Sequence, residues 1–348
     1  MREPAGGSVA DVIDHGGSLT RAKELFPNAS QPWLDLSTGI SPHPYPFGPL
    51  QASAYTRLPE NSQLERLLEA AAHAYGVNSP KNIVAAPGTQ ILLPLVAELV
   101  PPGRAAILSP TYAEHVRTAA LAGHTVSEVQ SIADLRDANY GVLVNPNNPD
   151  GRIASLASLR NLATELRRRS GLLMVDEAFM DVGPAGTSLA PEAESLRAIV
   201  LRSFGKFFGL AGVRLGFAIG PEDLVETIRA RLGPWAVPGP ALEIGIAALS
   251  HTDWQSAMRR QLEEEAAELD TVLREAGLEV VGGTSLYRFV RSPDAGSLFD
   301  ALGRAGIFVR RFPWDAEVLR FGLPRNPADL ARLRHALLQW HALEMDQT

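Results

Sequence analysis

The sequence predicts an α/β fold, in which a large domain with a mainly parallel sheet is followed by a small α+β domain. Between residues 83 and 219, short apolar runs alternate with segments of helical periodicity, which is typical of parallel strands covered by helices. A length of 348 residues also suits one large and one smaller domain. We therefore expect an N-terminal arm over residues 1–40, a large domain over 41–250 and a small domain over 251–348.

The N-terminal part should contain no long regular element. The stretch His15-Gly16-Gly17-Ser18 and the prolines that recur from Pro42 to Pro49 interrupt helices and strands. We interpret this part as an arm that wraps around the rest of the chain. An amphipathic helix should follow, because Ser62 and Glu65 have the spacing of a capping box and Gly76 can close the helix.

The strands of the large domain are predicted from apolar runs of four or five residues, which lie at 83–86, 105–108, 141–144, 172–175, 198–201 and 215–219. Three further segments have a helical pattern: one begins at Ser155, one extends from Met258 to Ala276, and one begins at Pro327. In the last of these, the apolar side chains share one stripe that should pack on the core, formed by Leu330, Leu333, Leu337 and Leu338.

Composition excludes several classes of function. Lys and Arg total 32 against 39 Asp and Glu, so the net charge of -7 argues against a nucleic-acid partner. The chain has no cysteine, which excludes disulfides, thiolate metal sites and a cysteine nucleophile, and we predict no metal site. The first residues lack a long apolar run, so we expect neither a signal peptide nor a membrane span. We therefore expect the protein to be cytoplasmic.

Polar residues follow directly after the predicted strands. Asn145-Pro146-Asn147-Asn148-Pro149 follows one, Asp176-Glu177-Ala178-Phe179 the next, and Arg202-Ser203-Phe204-Gly205-Lys206 a third. In open α/β sheets, ligands bind outside the carboxyl ends of the strands. An amide, a carboxylate, a hydroxyl and an ammonium on one rim suit pyridoxal phosphate, which has a basic ring nitrogen, a phenolic oxygen, a phosphate and an aldehyde.

These motifs, in this order, resemble the fold-type-I pyridoxal-phosphate family, whose fold is aspartate-aminotransferase-like, and especially its histidinol-phosphate-aminotransferase and threonine-phosphate-decarboxylase branch. The strongest element is the segment from Ser203 to Arg214, which contains Lys206-Phe207-Phe208-Gly209-Leu210-Ala211-Gly212-Val213. The resemblance implies that Lys206 is the Schiff-base lysine and that Arg214 and Ser203 bind the cofactor. The alternative for Lys206 is an exposed loop lysine.

The same resemblance implies further cofactor contacts. Asp176 should face the pyridine nitrogen and keep it protonated, although an Asp at a strand end can also cap a helix. Asn148 should donate to the phenolic oxygen, unless it belongs to a plain Asn-Pro turn. Tyr112 matches the aromatic residue that stacks on the cofactor ring. Lys206, Asp176 and Tyr112 are therefore the predicted catalytic residues.

Two more contacts concern anions. Gly88-Thr89-Gln90 lies between a strand and a helical pattern, so its backbone N–H groups could bind the cofactor phosphate, although most such turns bind nothing. Arg320, in Leu319-Arg320-Phe321-Gly322, matches the arginine that pairs with the substrate α-carboxylate, and a surface salt bridge is the alternative.

Departures from the aminotransferase pattern make transamination less expected. Phe179 stands where those enzymes usually have a tyrosine, Gly205 replaces a common phosphate-binding serine, and Leu58 replaces a tyrosine that reaches across the dimer. The stretches Asp14 to Ser18 and Asp35 to Pro42 look like those of threonine-phosphate decarboxylases of cobalamin synthesis. The resemblance assigns the substrate to residues of the arm and of both domains: His15, Gly16, Gly17, Gly39, Asn148, Arg310, Arg311 and Arg320.

The implied reaction is the decarboxylation of O-phospho-L-threonine to 1-amino-2-propanol phosphate, with Lys206 as the acid that protonates Cα. One alternative is an aminotransferase for histidinol phosphate or a related amino acid. Another is a non-catalytic protein that kept the fold as a binding module. Family members are dimers, so the resemblance also implies a homodimer.

Overall fold

The computed structural model describes residues 16–345, with side chains for residues 16–343. Its strands, numbered β1 to β13 in chain order, are Leu34–Asp35, Ile83–Ala86, Arg104–Leu108, Thr125–Val129, Tyr140–Val144, Leu172–Asp176, Ala198–Ser203, Gly216–Ile219, Glu279–Thr284, Tyr287–Arg291, Ile307–Phe308, Arg310–Phe312 and Asp315–Gly322. Its helices, α1 to α13, are Leu19–Leu25, Ser53–Thr56, Asn61–Tyr75, Leu92–Ala97, Glu114–Leu121, Leu156–Arg168, Ala193–Leu196, Phe204–Phe207, Glu222–Leu232, Gly239–Ser250, Thr252–Glu275, Ala295–Arg304 and Pro327–Met345.

The larger sheet of the described chain is mixed and mostly parallel, as the sequence predicts. Its seven strands lie in the order β2-β8-β7-β6-β5-β3-β4. Strand β8 runs antiparallel to both of its neighbours, and the remaining pairs are parallel. Because β5, β6 and β7 are adjacent and parallel, the residues that follow them meet at one edge of the sheet. The α/β class is therefore confirmed.

Apolar residues cover both faces of this sheet. One buried cluster includes Val84, Ile107, Met174 and Leu201. The other includes Leu143 and Val175 and continues without a break into the C-terminal part of the chain, where it includes Leu262, Leu298 and Leu337. Alternate residues of a strand point to opposite faces, so a strand buried on both faces must be apolar throughout.

The C-terminal part contains an antiparallel sheet in the order β12-β13-β10-β9, against which α11 and α12 pack. The arm contributes a strand here, since β1 pairs in parallel with β11, Leu34 opposite Ile307. Helix α10 ends at Ser250 and α11 begins at Thr252, close to the predicted start of the small domain. The boundaries of the three units remain a prediction.

Two local expectations are corrected. Helix α3 begins at Asn61, and its capping box consists of Glu60 and Gln63, so Ser62 and Glu65 do not form one. Gly76 ends the helix in a left-handed conformation, as predicted. On α13, Leu333 and Leu337 are fully buried, but Leu338 is exposed, because consecutive residues of a helix point about 100° apart.

Strand β4, Thr125–Val129, was not predicted. It is an edge strand with several half-buried or exposed polar residues, so it lacks the continuous apolar run of the inner strands. Within residues 16–345, none of the helices is both long enough and apolar enough to span a bilayer.

Candidate functional site

A cavity of about 700 Å³ opens at the carboxyl edge of the large sheet and is closed on its other side by the antiparallel sheet. It brings together most of the residues that the sequence analysis assigned to a site. Those that line it are Gly16, Gly39, Gly88, Thr89, Gln90, Tyr112, Asn148, Asp176, Ser203, Lys206, Arg214, Arg310 and Arg320. Motifs that are far apart in the sequence therefore line one cavity.

Lys206 lies on α8, directly after β7. Burial is the main cause that lowers the pKa of its amine to about 8, and the positive charge of Arg320 adds to it. The carbonyl of Lys206 accepts a hydrogen bond from the N–H of Ser41, at 2.9 Å, so the segment directly after the arm fixes this turn. A Cβ on Gly205 would lie 2.7 Å from Cα of Ala211, so there is no room for a serine at that position.

Asp176 ends β6 and is held from both sides. Its Oδ2 lies 3.0 Å from Nε2 of His115, and its Oδ1 accepts the N–H of Ala178 at 3.0 Å. His115 is buried, so this hydrogen bond is shielded from water. The arrangement fixes the direction in which the carboxylate faces the cavity, and suits an ion pair with a protonated ring nitrogen.

Tyr112 precedes α5 and presents its ring to the cavity. Its hydroxyl donates to Oε1 of Gln90 at 3.0 Å, and the edge of its ring meets His115 with the ring centroids 5.8 Å apart. Burial, with the negative charges of Glu114 and Asp176, raises the pKa of its hydroxyl to about 12. The phenol therefore stays protonated at neutral pH and offers an uncharged ring face.

Gly88, Thr89 and Arg214 form a cradle for an anion. A Cβ on Gly88 would lie 2.5 Å from Nη2 of Arg214, and Gly88 has a φ of 86°, so only glycine fits there. A Cβ on Gly216 would in turn lie 2.6 Å from the backbone N of Thr89. The segment Thr89–Ile91 forms a short 3-10 turn before α4, so backbone N–H groups and a guanidinium converge here.

Arg320 is buried beneath the small domain's side of the cavity. Its Nη1 donates to Oδ1 of Asn148 at 2.5 Å and its Nη2 to the carbonyl of Ser37 at 2.9 Å. The guanidinium lies over the ring of Tyr287, 5.0 Å from its centroid. Among residues 16–343, whose side chains the structure describes, no carboxylate pairs with Arg320, and burial lowers its pKa to about 10. A buried cation without a counterion suits an anionic ligand.

Arg310 and Arg311 face in different directions. In the register of the small sheet Arg310 stands opposite Arg320, and residues that are directly opposite share a face of the sheet. Arg310 accordingly lines the cavity. Arg311 points to the other face, where its guanidinium lies 4.8 Å from the ring centroid of Phe299. Arg311 does not line the cavity, and its contact with a substrate stays a prediction.

The arm reaches the cavity through Gly16 and Gly39. The N–H of Gly17 donates to Oγ of Ser37 at 2.7 Å. Gly17 is not part of the cavity wall, and its contact with a substrate stays a prediction. A Cβ on Gly39 would lie 2.9 Å from the rings of Phe179 and Tyr287. His15 lies outside the described residues.

Sequence reasoning missed several residues of this site. His115 follows Tyr112 by three positions, and its N–H donates to the carbonyl of Tyr112 at 3.1 Å at the start of α5, so this spacing could have signalled it. Tyr287 donates its hydroxyl to the carbonyl of Asn147 at 2.6 Å, which no local pattern announces. Phe312, at the end of β12, and Pro313 and Trp314, which follow it, add apolar side chains to the cavity wall.

The donor set fits pyridoxal phosphate. A lysine of lowered pKa, an oriented carboxylate, an uncharged ring face and a glycine-lined anion cradle meet in one cavity. Because Oδ1 of Asn148 accepts from Arg320, the amide's Nδ2 is the group that remains to donate to an oxygen. Phe179 lines the same cavity and has no hydroxyl to offer.

Comparisons with known proteins agree with this geometry. The model of the family "Aminotransferase class I and II" matches residues 49–337. A threonine-phosphate decarboxylase from Pseudomonas aeruginosa is 40% identical over 94% of this chain and 98% of its own. A histidinol-phosphate aminotransferase from Mesorhizobium japonicum is 30% identical over 82% of each chain. The crystal structure of histidinol-phosphate aminotransferase from Sinorhizobium meliloti in complex with pyridoxal-5'-phosphate has a TM-score of 0.79 and 19% identity, covering 98% of this chain and 99% of its own.

Proposed function

This chain belongs to the aminotransferase class I and II family, and on that premise we propose that it is a pyridoxal-phosphate-dependent decarboxylase of O-phospho-L-threonine. The products are carbon dioxide and (R)-1-amino-2-propanol O-2-phosphate, and we place the reaction in cobalamin biosynthesis. The relative from Pseudomonas aeruginosa, which aligns over nearly the whole of both chains, supports this substrate.

The observation that carries the proposal is the pair of guanidinium groups on one wall of the cavity. Arg310 and Arg320 stand opposite each other on neighbouring strands, and both line the cavity that contains Lys206. A guanidinium suits two-pronged binding of a carboxylate or a phosphate. O-phospho-L-threonine has one group of each kind, whereas histidinol phosphate has a phosphate and no carboxylate. In this proposal Arg320 binds the carboxylate and Arg310 the phosphate.

The cofactor's place follows from the residues around it. Lys206 would bind its aldehyde carbon, Asp176 its pyridine nitrogen and Asn148 its phenolic oxygen. Its phosphate would be bound by residues at one end of the cavity, namely Gly88, Thr89, Gln90, Ser203 and Arg214. Bound there, pyridoxal phosphate supplies an electron sink for the electron pair that is released when a bond to the substrate Cα breaks.

Lys206 also handles the proton. With a pKa of about 8, roughly a tenth of the amine is neutral at pH 7, whereas an ordinary lysine has only a trace in that form. The neutral amine can bind an aldehyde, and the protonated amine can donate to Cα after carbon dioxide has left. Tyr112, whose hydroxyl stays protonated, supports the reaction by covering one ring face.

The substrate phosphate must be held in a particular direction. An electron pair at Cα can expel a phosphate from Cβ when the C–O bond lies parallel to the orbital that holds the pair. Arg310, on the same wall as Arg320, can hold the phosphate away from that alignment while Arg320 orients the carboxylate. Two fixed anion contacts therefore favour decarboxylation over loss of phosphate.

The aminotransferase is the second candidate. It is supported by the lower-identity relative from Mesorhizobium japonicum. Against it stand Phe179, which lacks the hydroxyl of the usual tyrosine, and Leu58, which is 64% exposed and cannot donate a hydrogen bond to a phosphate. The aminotransferase would require 2-oxoglutarate as amino acceptor, whereas the decarboxylase needs no keto acid.

The test uses purified, cofactor-loaded protein with O-phospho-L-threonine and no keto acid. We expect carbon dioxide and the amine phosphate in equal amounts, and neither from Lys206→Ala. If no carbon dioxide appears but histidinol phosphate transfers its amino group once 2-oxoglutarate is added, the assignment moves to the aminotransferase. Failure of the wild-type protein to bind pyridoxal phosphate would support a non-catalytic module.

We also propose a homodimer. Trp235 and Leu58 are 58% and 64% exposed and line two grooves that share Pro59. Large apolar side chains exposed on neighbouring grooves are typical of an interface, and a second copy of the chain is the partner we propose. Light scattering that gives the mass of one chain would contradict this. The cytoplasmic location stays a prediction.

A further inference from the structure

The turn at Gly16 and Gly17 is packed directly against Ser37. The N–H of Gly17 donates to Oγ of Ser37 at 2.7 Å. A Cβ on Gly16 would lie 2.3 Å from the carbonyl oxygen of Ser37, and Gly17 has a φ of 91°, so neither position accepts a side chain without displacement. Gly16 lines the cavity and Ser37 is fully buried. The contact therefore joins two segments of the arm that both line the cavity.

The hydroxyl of Ser37 is oriented by Asp35. Oγ donates to Oδ1 of Asp35 at 2.6 Å, and the N–H of Ser37 donates to the same oxygen at 2.9 Å. Because the single hydroxyl hydrogen is used in this way, the lone pairs of Oγ are the part left for Gly17. A hydrogen bond to a carboxylate is stronger than one between neutral groups, so the orientation is well fixed.

The backbone around Ser37 is also held by hydrogen bonds. Leu36 donates its N–H to the carbonyl of Phe308 at 2.7 Å and accepts the N–H of Gly322 at 2.7 Å. The carbonyl of Ser37 accepts from Arg320 at 2.9 Å. Ser37 is thus held between the strands of the small domain and the arginine that we assign to the substrate carboxylate.

We propose that Ser37, oriented by Asp35, is a positioning residue for the phosphorylated substrate. It holds the Gly16-Gly17 turn at the cavity wall, at a fixed place relative to Arg320, before the substrate arrives. Without it, the turn would have to become ordered during binding, and the entropy lost in that step would weaken the affinity. This role rests on the proposed function, because it assigns Ser37 to the binding of that substrate.

Ser37→Ala tests this role selectively. It removes the hydroxyl, but keeps the backbone contacts of Ser37 with Asp35 and Arg320. The matched control is Ser188→Ala, because Oγ of Ser188 likewise donates to a carboxylate, that of Glu177 at 2.6 Å, and accepts a backbone N–H, that of Ala190 at 3.1 Å. Ser188 is not part of the cavity wall.

The first readout is hydrogen exchange at the N–H of Gly17, followed by mass spectrometry of short N-terminal peptides. We expect its protection to fall at least tenfold in Ser37→Ala and to stay unchanged in Ser188→Ala, because one direct hydrogen bond is removed. The second readout is steady-state kinetics of the loaded enzyme. We expect the KM for O-phospho-L-threonine to rise roughly tenfold in Ser37→Ala, while kcat and the affinity for pyridoxal phosphate change less than twofold.

Several results would overturn the role of Ser37. These are a KM equal to that of the wild type despite lost protection at Gly17, unchanged protection, or the same rise of KM in Ser188→Ala. If the wild-type protein releases no carbon dioxide, the proposed function fails separately. Calorimetric binding of O-phospho-L-threonine then decides: tenfold weaker binding to Ser37→Ala supports the role of Ser37, and equal or absent binding in both proteins refutes it.

Discussion

Replacement of Lys206 by methionine should stabilise the cofactor-free protein. The amine lies in the cavity, where burial and the charges of Arg320 and Arg214 oppose its protonation, and the opposite effect of Asp176 is smaller than these together. Its pKa is lowered from 10.5 to about 8. Methionine has a side chain of similar length and no charge, so this substitution removes the cost of the buried ammonium.

The size of the effect follows from the difference between the folded and unfolded chains. Unfolded lysine titrates at its ordinary pKa and binds the proton more tightly, so protonation favours unfolding. One pKa unit corresponds to about 1.4 kcal/mol, which gives a cost of roughly 3 kcal/mol at pH 7. As the pH rises from about 8 towards 10.5, the unfolded lysine loses its proton and the cost disappears. About 1.5 kcal/mol should remain at pH 9.5.

Urea denaturation of the two cofactor-free proteins at pH 7 and at pH 9.5 measures this. We expect Lys206→Met to raise the free energy of unfolding at pH 7 and to raise it about half as much at pH 9.5. The control is Lys81→Met, since the side chain of Lys81 is 73% exposed and pairs weakly with Glu222 at 3.7 Å. Equal stability of wild type and Lys206→Met at pH 7, or a gap that does not shrink with pH, would refute the reasoning.

The remaining predictions concern the site. Gly88→Ala would place a Cβ 2.5 Å from Arg214 in a left-handed backbone, so the dissociation constant of pyridoxal phosphate should rise about tenfold or more in an absorbance titration, and an unchanged constant would contradict the cradle. His115→Phe removes the donor to Asp176, and loss of a hydrogen bond to a charged group, about 1.5–3 kcal/mol, should lower kcat/KM roughly 10- to 100-fold. A kcat/KM of His115→Phe equal to that of the wild type would show that Asp176 does not need the hydrogen bond from His115. Arg320→Lys leaves one point charge where a planar fork bound two partners, so the KM for O-phospho-L-threonine should rise at least about tenfold, and an unchanged KM would exclude Arg320 from substrate binding.

The inner strands of the large sheet could be predicted because each is buried on both faces and therefore apolar throughout, as in Leu172–Asp176. The edge strand Thr125–Val129 could not, because one side of it meets no further strand and its sequence contains Ser127 and Glu128. The location of the site followed from the same reasoning. Parallel strands end at one edge, so Asp176 and Lys206 had to lie close together.

Contacts between distant segments escaped the sequence analysis. His115, on α5, contacts Asp176 at the end of β6, and Tyr287, on β10, donates to the carbonyl of Asn147, which follows β5. The two hydrogen bonds join residues that are 61 and 140 positions apart in the sequence. No local periodicity encodes such a pair, because each partner is an ordinary polar residue of its own segment.

The sequence by itself determined the α/β class, the sheet edge at which the cavity opens, and the lysine, carboxylate and amide that line this cavity. The tertiary structure decided which of two adjacent residues faces the site. Arg310 lines the cavity and Arg311 does not, and Gly16 lines it while Gly17 bonds to Ser37. Neighbouring residues of an extended chain point to opposite sides, but this alternation does not determine which side faces the cavity. That depends on how the hairpin of β12 and β13, and the turn at Gly16 and Gly17, pack against the residues at the edge of the large sheet.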